Sequence, residues 1–446
     1  MRIARILFVI IATGLVFFIQ KANAQDEWTI EECIRYALDN NINIKREKVT
    51  AEQFRNDYDQ SKFEFLPDVN GSAKHSYRSG KTFNYDVREY LNKDYHYGQI
   101  QLNSGLTLFD GLENQNRVKM RKFNLKRQLE NIEKAKYDVS MNVATYYLNI
   151  LSKQEQKQIK KEQLNVTLEQ IEQTKQQVNV GNKAKGDLLE IKAQAARERV
   201  ELTRAENELR MAYVDLTQLM NLDSTENFAV YFPDKDTISR KETLKSTDAI
   251  YEESVNEFPA IKSAEFNLRG SEKNLDMMKG RRYPELNIGM GFFTYYNEIT
   301  KNQFDISYNE QVEENISMVA ELQLNIPIFN KRRVHNQIQN AKLALDDSKL
   351  QLEEQKQNLY KDIQRARNEA VSAYEDYKAN IEAVNSSQEA FNYTEQKYAV
   401  GLVDIVEYKV AKKDLTEAKL NASQAKYNYF FRLMLLEFYR GEKLTL

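Results

Sequence analysis

Apolar side chains recur along this chain with two distinct periods. From Val118 through Leu125, Ile132 and Val139 they step by seven, and Ile338, Leu345, Leu352 and Leu359 do the same 220 residues later. A seven-residue apolar repeat predicts helices in left-handed coiled-coil packing. Both copies then jump by four, to Val143 and Ile363, and continue as Ile150, Leu164, Ile171 and Val178 against Ala370, Val384, Phe391 and Tyr398. Four inserted residues unwind a supercoil locally toward straight helices, and a jump shared by both copies marks a duplicated element. Each predicted helix, about 112–179 and 332–399, would be roughly 100 Å long at ~1.5 Å per residue. Gly181 and Gly401 follow, where a helix must stop and reverse. Beyond them Ala195, Leu202, Leu209 and Leu216 match Leu415, Ala422, Tyr429 and Leu436 on antiparallel return helices.

The second period is two. Ile316, Met318, Ala320, Leu322, Leu324, Ile326 and Ile328 alternate with Asn315, Ser317, Glu321, Gln323 and Asn325; Ile100, Leu102, Leu106 and Leu108 alternate with Gln99, Gln101, Asn103 and Thr107. Such strands, one face apolar and the other polar, are long enough to cross a bilayer at a tilt. Partner strands begin after Pro67 and Pro284, so strands are predicted at 68–78, 96–109, 285–296 and 315–329. Ile316, Met318, Leu322, Leu324 and Ile326 are the candidate lipid-facing row. Tyr77, Tyr95, Tyr97, Phe292, Tyr295 and Tyr296 fall near the far strand ends as an interfacial girdle would, with polar loops at 79–94 and 297–314. Half-buried sheets of soluble proteins also alternate, but here no other segment is rich enough to cover the apolar face. Four strands cannot close a barrel, and an open edge in lipid leaves backbone groups unpaired. The chain must therefore associate: two copies would supply eight strands, three would supply twelve.

Upstream of the strands the repeat runs at an offset of 217, with Ile44, Val49 and Pro67 matching Ile261, Phe266 and Pro284. The chain thus divides into 1–24, 25–222, a 223–247 connector and 248–446, each repeat carrying a short helix, two strands and a helical hairpin (111–220 and 331–438). Residues 1–24 have the order of a secretory signal peptide: Arg2 and Arg5, an apolar run from Ile6 to Ile19, then Ala22-Asn23-Ala24, with cleavage expected before Gln25. At 14 residues that run is short for a membrane anchor.

Composition narrows the functions. The 446 residues carry 64 basic and 66 acidic side chains, a net −2, which gives no field for nucleic acid. A mean hydropathy of −0.68 excludes a helical membrane protein. The only cysteine, Cys33, has no disulfide partner and shares an apolar stripe with Ile30, Ile34, Ala37 and Leu38. His75, His96 and His335 form no metal-ligand motif, Met277-Met278 reads as packing, and no phosphate loop is present, so neither catalysis nor a cofactor is expected.

Four stretches carry a resemblance: Trp28-Thr29-Ile30-Glu31-Glu32 leading to Ala37-Leu38-Asp39-Asn40-Asn41, the strand exits Phe109-Asp110-Gly111 and Pro327-Ile328-Phe329-Asn330, and Val400-Gly401-Leu402 at a helical turn. In two copies and in this order they resemble the TolC-like outer-membrane efflux factors over essentially the whole mature chain. The resemblance implies a mainly α fold with membrane β: a homotrimer whose shared twelve-stranded outer-membrane barrel continues into a periplasmic α-helical barrel. It implies a passive duct in a Gram-negative envelope, serving an efflux or type I secretion system. Its partners would be a periplasmic adaptor (membrane fusion) protein, an inner-membrane transporter and outer-membrane lipid. Val180, Gly181, Val400, Gly401 and Leu402 would be adaptor contacts. The family narrows its entrance with acids six and nine positions after the second tip glycine; Glu407 holds the first place and Val410 the second. Asp404, Asp187 and Glu190 are further gate candidates. The first tip, Gly181-Asn182-Lys183-Ala184-Lys185-Gly186, is more charged than the family's usual tip. A periplasmic adaptor or a structural coiled coil are the competing classes; the first would need a compact β-domain, and the strands argue against the second. Cargo is not encoded in these features.

Overall fold

The computed structural model describes residues 27–84, 88–92, 94–223, 228–232 and 244–441. The expected signal peptide and most of the connector lie outside them. The chain forms two compact units, one comprising residues up to 47, 132–259 and from 356 onward, the other 48–131 and 260–355.

The second unit carries the main sheet. Four strands, β2 (Asp68–Arg78), β5 (Tyr95–Phe109), β7 (Glu285–Asn297) and β8 (Ser317–Asn325), pair antiparallel in the order β2-β5-β7-β8. The sheet is open, with β2 and β8 as its edges. β8 is shorter than the expected 315–329 for a local reason at each end. Asn315 still donates its N–H to the Gln311 carbonyl as the cap of a helix, and Pro327 has no N–H for a ladder. The 79–94 segment holds a small hairpin, β3 (Lys81–Asn84) with β4 (Glu89–Asn92). The 297–314 segment holds two short helices, α7 (Glu298–Phe304) and α8 (Tyr308–Glu314), where loops were expected.

Helices α2 (Ile42–Phe63) and α6 (Pro259–Gly280) enter the two strand pairs, each 22 residues long and 217 apart. The strands lead out into α3 (Glu113–Asn179) and α9 (Arg333–Ala399), each 67 residues and 220 apart. At these exits two successive residues are left-handed, Gly111 and Leu112 in one copy, Lys331 and Arg332 in the other. Gly111 is required for a second reason, because a Cβ there would lie 2.3 Å from the Gly280 carbonyl oxygen. Around this crossing Arg281 donates to Glu113 at 3.0 Å, and Arg117 pairs with Glu113 at 2.8 Å and with Glu64.

The other unit is helical. The return helices α4 (Lys185–Met220) and α10 (Ile405–Tyr439) complete the hairpins, beginning 220 residues apart. Its core joins Val139, Val143, Tyr147, Ile150 and Leu151 of α3 to Leu209, Leu216 and Met220 of α4 and Tyr427 and Met434 of α10. The four-residue jump passes through continuous helix, with Val139, Val143, Leu359 and Ile363 all buried. Helix α1 (Ile30–Asn40) adds Ile30, Cys33 and Ala37, and begins with a capping box in which Thr29 and Glu32 satisfy each other's backbone N–H. Thus the Trp-Thr-Ile-Glu-Glu stretch is a helix start. Two residues of the expected connector, β6 (Ala229–Val230), pair in parallel with β1 (Glu27–Trp28), and the buried Tyr147 hydroxyl donates to the carbonyls of Trp28 and Tyr231. Helix α5 (Thr247–Ser254) precedes α6 and packs against α10.

Candidate functional site

Both helical turns use the same stop. Gly181 and Gly401 have φ of +82° and +78°, open to glycine without strain. In each, the glycine N–H bonds the carbonyl three residues back and the next N–H the carbonyl five back: Gly181 to Val178 and Asn182 to Gln177, Gly401 to Tyr398 and Leu402 to Lys397. This pair of hydrogen bonds satisfies two of the carbonyls otherwise left orphaned at a helix end. Val180, Val400 and Leu402 are then left more than 70% exposed.

The turns differ in how the return helix starts. Asp404 caps α10, its carboxylate accepting from the N–H groups of Val406 and Glu407 at 2.9 Å each. The equivalent residue of the first copy is Ala184, which makes no side-chain cap bond. Asp404, read from sequence as a gate candidate, is therefore engaged in ending its own turn. Glu407 and Val410 are exposed on α10, Asp187 is half-buried in the first turn of α4, and Glu190 pairs with Lys409 at 3.2 Å. The four acids are not gathered into one cluster; they are dispersed among a cap, an ion pair and two unpaired helix positions.

Lys183, the charge that sets the first turn apart, does not face outward. Its ammonium lies 3.3 Å from the centroid of the Tyr398 ring, buried and without a hydrogen-bond partner. Tyr398 stacks on Tyr408 at 4.9 Å, and Phe391, Ile191, Ile405 and Leu415 complete the cluster. Cation–π attraction of this kind strengthens with desolvation.

Farther along α10 is a buried ion pair that sequence inspection missed. The side chains of Lys412 and Glu198 are 8% and 4% exposed, with the ammonium 3.3 Å from the carboxylate. Lys412 also donates to the Gln163 carbonyl at 2.7 Å and to the Thr167 hydroxyl, which itself donates to Glu198. Gln163 and Gln194 supply further donors to Glu198 at 3.2 and 3.0 Å. Burial pushes the Lys412 ammonium below the ordinary lysine value, and Glu198 opposes that shift. The available signal was Lys412's place between Tyr408 and Leu415 on the apolar stripe, where a charge breaks the pattern.

On the sheet the two faces are distinct. Leu102, Phe292 and Met318 lie in one cross-strand row, and Leu106, Ile288 and Leu322 in another; Leu286 faces Leu324. Ile316, Met318, Leu322, Leu324 and Ile326 are all more than half exposed in the single chain. Phe292, expected at the girdle, lies mid-strand in this apolar face, whereas Tyr97 and Tyr295 stack near the strand ends. The opposite face sets Asn103, Thr107, Asn287, Glu321 and Gln323 around a concavity of about 1470 Å³. No described helix is long and apolar enough to cross a membrane.

Known proteins share this arrangement. The family described as outer membrane efflux protein matches residues 33–222 and 250–438. The chain is 24% identical over 296 residues to the outer membrane protein TolC of Vibrio cholerae serotype O1 (strain ATCC 39315 / El Tor Inaba N16961), an alignment covering 66% of either protein. In fold it is similar to the solved structure of CusC, with a TM-score of 0.78 at 18% identity over 94% of this chain and 93% of that one. The Campylobacter jejuni CmeC outer membrane channel gives 0.78 at 16% identity, covering 94% of this chain and 87% of that one. The outer membrane protein VceC of Vibrio cholerae gives 0.74 at 14%, covering 93% and 96%.

Proposed function

The chain belongs to the outer membrane efflux protein family, and from that premise, which makes it a transport protein and not an enzyme, we propose that it is the outer-membrane duct of a tripartite efflux or type I secretion system. The observation that carries this reading is the open sheet, with an exposed apolar row on one face and a polar concavity on the other. An uncovered apolar face this continuous suits lipid, and the polar face suits a water-filled lumen. Unpaired edges on β2 and β8 are untenable in hydrocarbon, so the sheets of several copies close on one another. Three copies give twelve strands. Ile316, Met318, Leu322, Leu324 and Ile326 then face lipid, and the helical hairpins lie on the periplasmic side.

On this reading the uncapped apolar residues Val180, Val400 and Leu402, with Gly181 and Gly401, meet a periplasmic adaptor joined to an inner-membrane transporter. What supports it is their exposure on turns each closed by two backbone hydrogen bonds. Glu407 is the principal gate acid. In a trimer it becomes three like charges around one opening, which attract cations; Asp187 contributes to the same region, while Asp404 and Glu190 are compromised by their cap and ion pair.

Density-gradient fractionation of the cell envelope tests the location: the chain should sediment with outer-membrane markers, and recovery in the inner-membrane or soluble fraction would contradict the proposal. Replacing Glu407 with alanine should reduce block by divalent cations in planar bilayers at least several-fold. Unaltered block would leave Glu407 as an ordinary surface acid.

A further inference from the structure

His75 on β2 and His96 on β5 form a close pair at the loop end of the sheet. His75 Nε2 lies 3.0 Å from His96 Nδ1, and the rings stack at 26° with centroids 5.1 Å apart. The pairing register places them diagonally on one face: Tyr77 faces His96, and His75 faces Gly98, whose lack of a side chain lets the His75 ring lean across. Their backbone is held in place. The β2–β5 ladder runs without a bulge from Asp68 to Arg78, the His96 N–H donates to Glu298 at 2.8 Å, and the Tyr77 ring lies 5.3 Å from His96 with its hydroxyl donating to Asp94. Both histidines are exposed, so their rings can turn about χ2 without disturbing a core.

We propose that His75 and His96 form a two-nitrogen site for a divalent late transition metal. An imidazole nitrogen binds such a metal at ~2.0–2.1 Å, so two of them at adjacent coordination positions stand about 2.9–3.4 Å apart. The observed 3.0 Å falls in that range. Two preset donors reduce the ordering needed on binding, as for any chelate. Among the described residues no group of three or more histidine, cysteine or carboxylate side chains could hold a metal. The pair sits at the loop end of the same sheet face that carries Leu102 and Phe292, past the apolar rows. Both rings are exposed there, so water fills the remaining positions and the site exchanges its metal readily. Calcium and magnesium, which require oxygen ligands, do not bind there. Copper(II) binds most tightly of the divalent series, with zinc(II) and nickel(II) weaker. In the metal-free pair one facing nitrogen donates its N–H to the other. A bound metal replaces that proton, which moves to the far nitrogen of its own ring, so both rings bind as neutral imidazoles and acid competes with metal.

This site depends on the strand register and not on the duct reading, and its test is direct binding. Copper(II) and zinc(II) are titrated calorimetrically into the full, tag-free chain in detergent, with electron paramagnetic resonance of the copper form. One metal per chain is expected, with nitrogen hyperfine structure, and weaker binding at pH 5 than at pH 7.5. His75→Ala and His96→Ala should each weaken binding at least tenfold, while His335→Ala leaves it unchanged. A loss smaller than tenfold in either variant, or a loss that follows His335, would overturn the proposal.

Discussion

Lys412 shows what a single residue can do that its pattern did not announce. Removing only the cation leaves Glu198 charged and buried, so Lys412→Met should cost about 3–5 kcal/mol in guanidinium unfolding. The paired change Lys412→Met with Glu198→Leu should recover most of that loss; a double-variant loss equal to the sum of the two single losses would show that the pair is not coupled. Cys33 gives the complementary case. Burial, with Glu32 and Glu31 adding, pushes its thiol up to about 12 from an ordinary 9.0. A raised acid is held protonated, so its contribution to stability is complete below pH 9 and is lost as pH rises toward 12. The folded chain should resist maleimide at pH 8 and react promptly once unfolded; similar rates in both states would contradict the buried position. Cys33 was legible from its apolar neighbours, because burial follows a stripe. The Lys412 partnership was not, because Glu198 and Thr167 lie 214 and 245 residues away in sequence.

At the scale of elements, periodicity located the helices and geometry corrected the strands. Val118 to Val178 and Ile338 to Tyr398 carry enough turns for the pattern to be unmistakable, and both helices come out at 67 residues. β8 lost residues to the Asn315 cap and Pro327, both visible in the sequence but outweighed by the alternation around them. Asp404 gains an element-scale role that its reading as a gate candidate did not include, since an acid immediately before a helix is first a cap. Asp404→Ala should destabilise by about 1 kcal/mol, and Ala184→Asp should stabilise the uncapped first turn by a similar amount. Thermal melts of the detergent-extracted protein measure both. No gain from Ala184→Asp would contradict the reading of the first turn as one that lacks a cap.

For the whole molecule, duplication is the feature that the sequence carried most completely. Helices before the strands keep one offset and helices after them another, so the difference in length is confined to the strand pairs and their loops. What one sequence could not specify is how many sheets meet, because closure is a property of several chains. The number decides the function. Eight strands give an interior that side chains nearly fill, whereas twelve leave a lumen. The native mass of the unheated, detergent-extracted protein therefore tests the duct most directly: the account predicts three copies of the chain, and a particle of one or two copies would contradict it.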